Sequence, residues 1–155
     1  MNCMAQVTWL GNLGSGTQTY AGYGRGYRVE VAGKAALLGS ADPAFRGEAD
    51  KHNPEDLFLT ALSACHMLTY LALCARSGVH VLAYTDEAQG ALRLDPDGGG
   101  AFERVLLQPR VTISAHSDVA RAAALHDEAH AHCFIARSCS VPVTHQARIQ
   151  REVQP

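Results

Sequence analysis

Residues 53–78 read NPEDLFLTALSACHMLTYLALCARSG, and this stretch predicts the helix around which the rest of the chain is arranged. Asn53 suits an N-cap, Pro54 the first helical position, and Glu55 with Asp56 the first turn, where the helix dipole favours carboxylates. Leu57, Leu59, Ala61, Leu62, Ala64, Leu68, Leu71, Ala72 and Leu73 cover more than one face. That pattern predicts a central helix nearly surrounded by protein and ending near Arg76, Ser77 and Gly78. A single thiol, Cys65, stands near its middle.

Working outward, the segment from Gln6 to Leu38 is strand-like, with alternation in YRVEV and glycines at 22, 24, 26, 33 and 39 marking turns, so a meander of about three antiparallel strands is expected. SADPAFRGEADKH, residues 40–52, is a polar connection long enough to be a functional loop. Beyond the helix, VHVLAYTDEAQGALRLD and FERVLLQPRVTISA predict two or more strands joined at the turn-rich DPDGGG. Ser117 or Asp118 then caps a second helix with Val119, Ala122, Ala123, Leu125 and Ala129 in its apolar set. VTHQARI suits a final strand, and the last few residues are expected to fray. Strands, helix, strands, helix, strand: the order predicts one α+β domain over residues 1–155, with antiparallel sheet packed around two long central helices. A helix this apolar needs cover on two sides, which a second copy of the chain would supply.

Bulk properties narrow the function. A chain of 155 residues fits one domain, and 18% charged residues with a net charge of -2 lack the basic excess that a phosphate backbone attracts, so no nucleic-acid partner is expected. The start, MNCMAQVTWLGNLGSG, lacks the form of a signal peptide, and His66, Thr69, Cys74 and Arg76 interrupt the longest apolar run. The expectation is a cytoplasmic protein with no membrane partner. Five cysteines, at 3, 65, 74, 133 and 139, have no C-x-x-C spacing, so neither a disulfide framework nor a zinc ribbon is indicated.

Cys65 in a helix reads either as a buried filler or as chemistry, and Cys74 as a filler. Cys133, in HAHCFIARS between histidines and Arg137, has the electropositive, accessible setting that favours a thiolate. His126, His130, His132 and Cys133 raise a metal-binding alternative, but the Glu of H-E-x-x-H is missing, since Asp127 follows His126. GNLGSG and GYGRGY lack the context of phosphate-cradling loops, and no G-x-S-x-G elbow exists.

Two segments carry a resemblance. HNPEDLFLTALSACHMLTYLAL resembles the signature of the osmotically inducible protein C and organic hydroperoxide resistance family, and AHAHCFIARSCSVPV resembles its second signature. The resemblance implies an intertwined homodimer and a thiol peroxidase of a family that reduces organic hydroperoxides, and often hydrogen peroxide. It implies Cys65 as the peroxide-reacting thiol, Cys133 as the resolving thiol, and a Cys65–Cys133 disulfide reduced by a dithiol such as a lipoylated protein, with no metal, flavin or haem. The family also implies an arginine that lowers the thiol pKa, oriented by a glutamate that matches Glu55. Arg46 in AFRGE is the first choice because its loop directly precedes Asn-Pro-Glu, although better-known relatives carry the arginine where this chain has Ala44. Arg25 in GYGRGY, resembling a Gly-Arg position of the organic hydroperoxide branch, is the second. His66 stands where those branches often carry Phe, in a place to tune the thiol or cap the pocket. His145 and Cys139 are read as ordinary strand and loop residues. A non-catalytic dimer that binds small molecules is the remaining alternative.

Overall fold

The computed structural model describes residues 1–153, so the frayed end expected for the chain reaches residues outside the described ones. The chain divides into two compact units, Met1–Phe58 and Leu59–Pro155. In the first, β1 (Gln6–Trp9), β2 (Tyr27–Glu30) and β3 (Leu37–Gly39) form an antiparallel sheet in that order. This is the meander that the alternation in YRVEV and the flanking glycines predict. Gly11 and Gly24 pack so closely that a Cβ on Gly11 would collide with the Gly24 carbonyl, the same carbonyl that accepts the Trp9 indole N–H at 2.8 Å. Only glycine fits such an approach. The polar connection holds a short 3-10 turn at Pro43–Phe45, capped by the Asp42 carboxylate.

The long helix, α1 (Pro54–Arg76), starts and stops where expected. Its start is locked reciprocally: Asp56 N–H donates to the Asn53 side chain at 2.8 Å, and Asn53 N–H to the Asp56 carboxylate at 3.2 Å. It has 23 residues and holds an 18-residue window of mean hydropathy 1.7, so it is long and apolar enough to cross a membrane by length and composition. Its fully buried residues, however, include polar side chains: Leu62, His66, Tyr70 and Cys74 form one stripe at a spacing of four, while Leu68 is 62% exposed. The near-complete enclosure expected for this helix is therefore not met within the single chain.

In the second unit, β4 (Val81–Asp86), β5 (Gln89–Leu94), β6 (Gly100–Leu107), β7 (Pro109–Ile113), β8 (Val143–His145) and β9 (Arg148–Arg151) make two three-stranded sheets, ordered β4-β7-β9 and β5-β6-β8. The β4–β7 and β5–β6 pairs are antiparallel. The segment read as a final strand is two, and each joins its sheet in parallel, β8 on β6 and β9 on β7. Helix α2 (Val119–His132) is capped by Asp118, whose carboxylate accepts from Arg121 N–H, and is followed by the single turn α3 (Phe134–Arg137). Tyr70, Cys74, Val79, Val111, Ile113, Ala122, Leu125 and Ala129 form the core. The architecture is α+β, as the element order predicts.

One side chain secures the turn from β4 to the neighbouring strands. The Asp86 carboxylate accepts from Ser63 Oγ at 2.5 Å and from Gln108 N–H at 2.6 Å. Removing a partly buried carboxylate that accepts two hydrogen bonds leaves a backbone donor unmatched, so Asp86→Ala is expected to lower the unfolding free energy by about 2 kcal/mol in urea titrations.

Candidate functional site

The second unit brings the two implicated sulfurs together. Cys65, partly exposed on α1, meets Cys133, which is 1% exposed and forms the junction between α2 and α3. Both are free thiols. Burial pushes the Cys65 thiol up, but it is outweighed by hydrogen bonds to the sulfur from Ile135 N–H, the Cys133 thiol, Phe134 N–H and the Thr69 hydroxyl. Cys65 is consequently more acidic than an ordinary cysteine. Cys133 moves the other way: burial first, and then the neighbouring Cys65, push it up to about 11, against the opposing pull of the Ala136 and Ile135 N–H groups. The pair is thus polarised, with an acidic, accessible sulfur beside a buried one that keeps its proton at neutral pH and can donate it. Phe134, next to Cys133 in the chain, is 70% exposed, a large apolar side chain left in water.

Between α1 and α2 lies a layer of imidazoles. His66 Nε2 and His126 Nδ1 share a hydrogen bond of 3.0 Å, and both residues are no more than 1% exposed. The Tyr70 ring stacks on His126 at 3.8 Å between centroids and 10° between planes. His145 flanks both imidazoles at 5.5 and 5.7 Å and binds Asp127 at 3.1 Å. Burial is the main cause that lowers His66 to about 4 and His126 to about 3, aided by the neighbouring imidazoles. The residues of the metal-binding alternative turn to different partners: His126 to His66, His132 Nδ1 to the Glu128 carbonyl at 2.8 Å, and Cys133 to Cys65. Among the described residues no group of three or more His, Cys, Asp or Glu is arranged to hold a metal ion.

The remaining implicated residues belong to the first unit. Arg25 is half-buried; its guanidinium lies 4.5 Å from the Tyr20 ring centroid and 3.8 Å from that of Tyr23, and donates to the Tyr23 carbonyl and, at 2.6 Å, to that of Tyr20. Arg46 is exposed and closes the 3-10 turn with φ of 66°, a left-handed conformation that non-glycine residues seldom hold. No hydrogen bond or ion pair from the Arg46 side chain occurs among the described residues. Glu55 is half-buried in the first turn of α1.

Sequence reasoning missed four contributors. Thr69 lies four residues after Cys65, donates its hydroxyl to the Cys65 carbonyl at 2.8 Å and helps to lower the thiol, a helical spacing that the sequence carries. The N–H groups of Phe134 and Ile135 give no sequence signal. His145, read as an ordinary strand residue, enters the imidazole layer through the parallel pairing that sets it opposite Leu107.

Comparison with known proteins gives a consistent result. A family model described as OsmC-like protein matches residues 47–147. An OsmC-like protein of unknown function from Vibrio cholerae superposes with a TM-score of 0.83 at 32% identity, covering 96% of this chain and 99% of that one. The fold is shared with an organic hydroperoxide resistance protein from Legionella pneumophila (TM-score 0.69, 19% identity, 96% of each chain). It is shared too with the organic hydroperoxide resistance protein OhrB of Bacillus subtilis (TM-score 0.62, 21% identity, 95% of this chain and 98% of that one). The uncharacterized protein YmaD of Bacillus subtilis is 26% identical over 95 residues, which span 59% of this chain and 63% of that protein.

Proposed function

The chain belongs to the OsmC-like protein family, and from that premise we propose that it is a cysteine-based peroxidase that reduces organic hydroperoxides, with Cys65 attacking and Cys133 resolving. The observation that carries this reading is the polarised contact between the two sulfurs, one acidic and reachable, the other buried and protonated. The Cys65 thiolate attacks one oxygen of the peroxide, the O–O bond breaks, and the alkoxide leaves and takes up a proton, so that the sulfur becomes a sulfenic acid. The Cys133 sulfur then attacks the sulfenic sulfur. The S–O bond breaks, water leaves with the Cys133 proton, and a disulfide forms. A dithiol reductant, such as a lipoyl group on a partner protein, exchanges with that disulfide and restores both thiols. The sum is hydroperoxide plus dithiol giving alcohol, water and oxidised dithiol.

Exposed Phe134, which follows Cys133 in the chain, suits a substrate with an apolar body. The apolar residues that α1 leaves uncovered, Leu68 among them, suit a homodimer, and a cytoplasmic setting would supply the dithiol. We assign the cation that stabilises the thiolate to Arg46 first, with Arg25 second and Glu55 as the orienting carboxylate. Support for Arg46 comes from its unengaged side chain and its strained backbone, a cost more often retained at functional positions.

The test is stoichiometric. One equivalent of cumene hydroperoxide added to the fully reduced protein should consume two thiols and give a Cys65–Cys133 disulfide by peptide mapping, and Cys133→Ser should accumulate a dimedone-reactive sulfenic acid at Cys65. Thiols that survive the peroxide unchanged would leave the fold as a binding scaffold. The activating arginine is identified by titrating the thiolate absorbance: its alanine variant should raise the Cys65 pKa by about one to three units, as loss of a neighbouring opposite charge does, and the other arginine's variant should not.

A further inference from the structure

The buried imidazoles have no part in the chemistry proposed above, yet they occupy the space between the helices that hold the two sulfurs. We propose that the His66–His126 hydrogen bond is a positioning pair that holds Cys133 within bonding reach of Cys65; the inference takes its purpose from the peroxidase reading. Helices α1 and α2 are joined by polar rungs. Tyr70 OH donates to the Ala122 carbonyl at 3.0 Å, and four residues along each helix His66 bonds His126 at 3.0 Å. Beyond them, Cys65, which precedes His66, meets Cys133, the residue that caps the end of α2.

Two features argue that the rung does more than fill space. Each ring uses one nitrogen in the shared bond, and the other nitrogens, His66 Nδ1 and His126 Nε2, are buried with no hydrogen-bond partner among the described residues. An apolar pair of similar volume would avoid that desolvation cost. What an apolar pair cannot supply is direction: hydrophobic contact tolerates sliding, whereas an N–H···N bond at 3.0 Å fixes the register of one helix against the other. The rings are held in turn, His126 by the Tyr70 face and both by His145, whose Nε2 binds Asp127.

The atoms in the bond choose the variants. Glutamine places a polar atom near the position of imidazole Nε2, and asparagine near that of Nδ1, so His66→Gln with His126→Asn keeps a bond between the helices. His66→Phe with His126→Phe keeps the bulk and removes the bond. The readout is the effective molarity of the Cys65–Cys133 pair in full-length protein, from equilibration in glutathione redox buffers followed by peptide mapping, which requires no peroxide activity. We expect the Phe pair to lower it by about tenfold or more, the scale on which misplacement of reacting groups acts, and the Gln/Asn pair to stay within about threefold of wild type. Should the Phe pair fail to fold, His126→Leu alone removes the bond and is expected to give the same loss. The proposal is overturned if the bond-deleting variant matches wild type, if the Gln/Asn pair falls as far as the Phe pair, or if a shifted Cys65 thiolate titration accounts for the change. A wild-type protein that closes the disulfide in glutathione but consumes no hydroperoxide would remove the peroxidase reading and leave the positioning role intact.

Discussion

Cys65→Ser is expected to reduce dithiol-dependent consumption of an organic hydroperoxide by about a thousandfold or more, to the rate of the reductant alone, because the Cys65 thiolate is the group that attacks the peroxide in the proposed cycle. Cys133→Ser should behave differently. The first turnover survives, since attack on the peroxide needs only the acidic sulfur, and steady-state turnover then stalls at the sulfenic acid, which further peroxide carries to the irreversible sulfinic state. Single-turnover and steady-state rates on the two variants separate these outcomes. If Cys65→Ser retains the wild-type steady-state rate, the reaction does not run through this sulfur. The asymmetry of the pair gives the expectation its direction: hydrogen bonds from Ile135, Cys133, Phe134 and Thr69 overcome the effect of burial at Cys65, whereas burial prevails at Cys133.

Stability should fall steeply between about pH 6.5 and pH 4, because of the same imidazole pair. Histidine ordinarily titrates near 6.5; in the folded chain burial, then the charges of His145 and His130, hold His66 down to about 4, and burial, then the charges of His66 and His145, hold His126 down to about 3. Above pH 6.5 both residues are neutral in folded and unfolded chains and contribute no slope. Below it the unfolded chain takes up protons that the folded one refuses, so unfolding gains free energy with every step toward acid. At about 1.4 kcal/mol per pH unit for each group, the pair would cost on the order of 5 kcal/mol by pH 4.5, comparable to the whole stability of many domains. Urea unfolding at pH 7.5 and 4.5 measures this loss. The Gln/Asn variant carries no titrating group at either position and should show a much flatter profile; an equally steep one would assign the acid sensitivity to other groups.

Much of this molecule was legible in the chain because the relevant signals are local. Asn53, Pro54 and Asp56 specify the start of α1, Ser77 and Gly78 its end, Asp118 the start of α2, and DPDGGG the β5–β6 turn, where Asp95 N–H bonds the Gly99 carbonyl at 2.8 Å and Gly98 takes a positive φ. What was not legible depends on partners distant in sequence. VHVLAYTDEAQGALRLD reads as strand, but it is broken at Glu87 and Ala88 so that β4 and β5 enter different sheets. VTHQARI likewise splits at Gln146 and Ala147, and only the parallel pairing with β6 and β7 reveals why. The site follows the same rule. Cys65 and Cys133 were connected by resemblance and not by spacing, and the buried contact of His66 with His126 could not be foreseen from either helix alone.

The junction at Cys133 has a further consequence. Its N–H bonds the His130 carbonyl at 3.3 Å and its own carbonyl accepts from Arg137 N–H at 3.0 Å, so the main chain at this residue is tied into the helices on both sides. Its sulfur can therefore swing toward its mate chiefly by torsion about the Cα–Cβ bond. Oxidation and reduction would then pass through a single side-chain rotor, leaving amide exchange at residues 133 and 137 the same in both redox states.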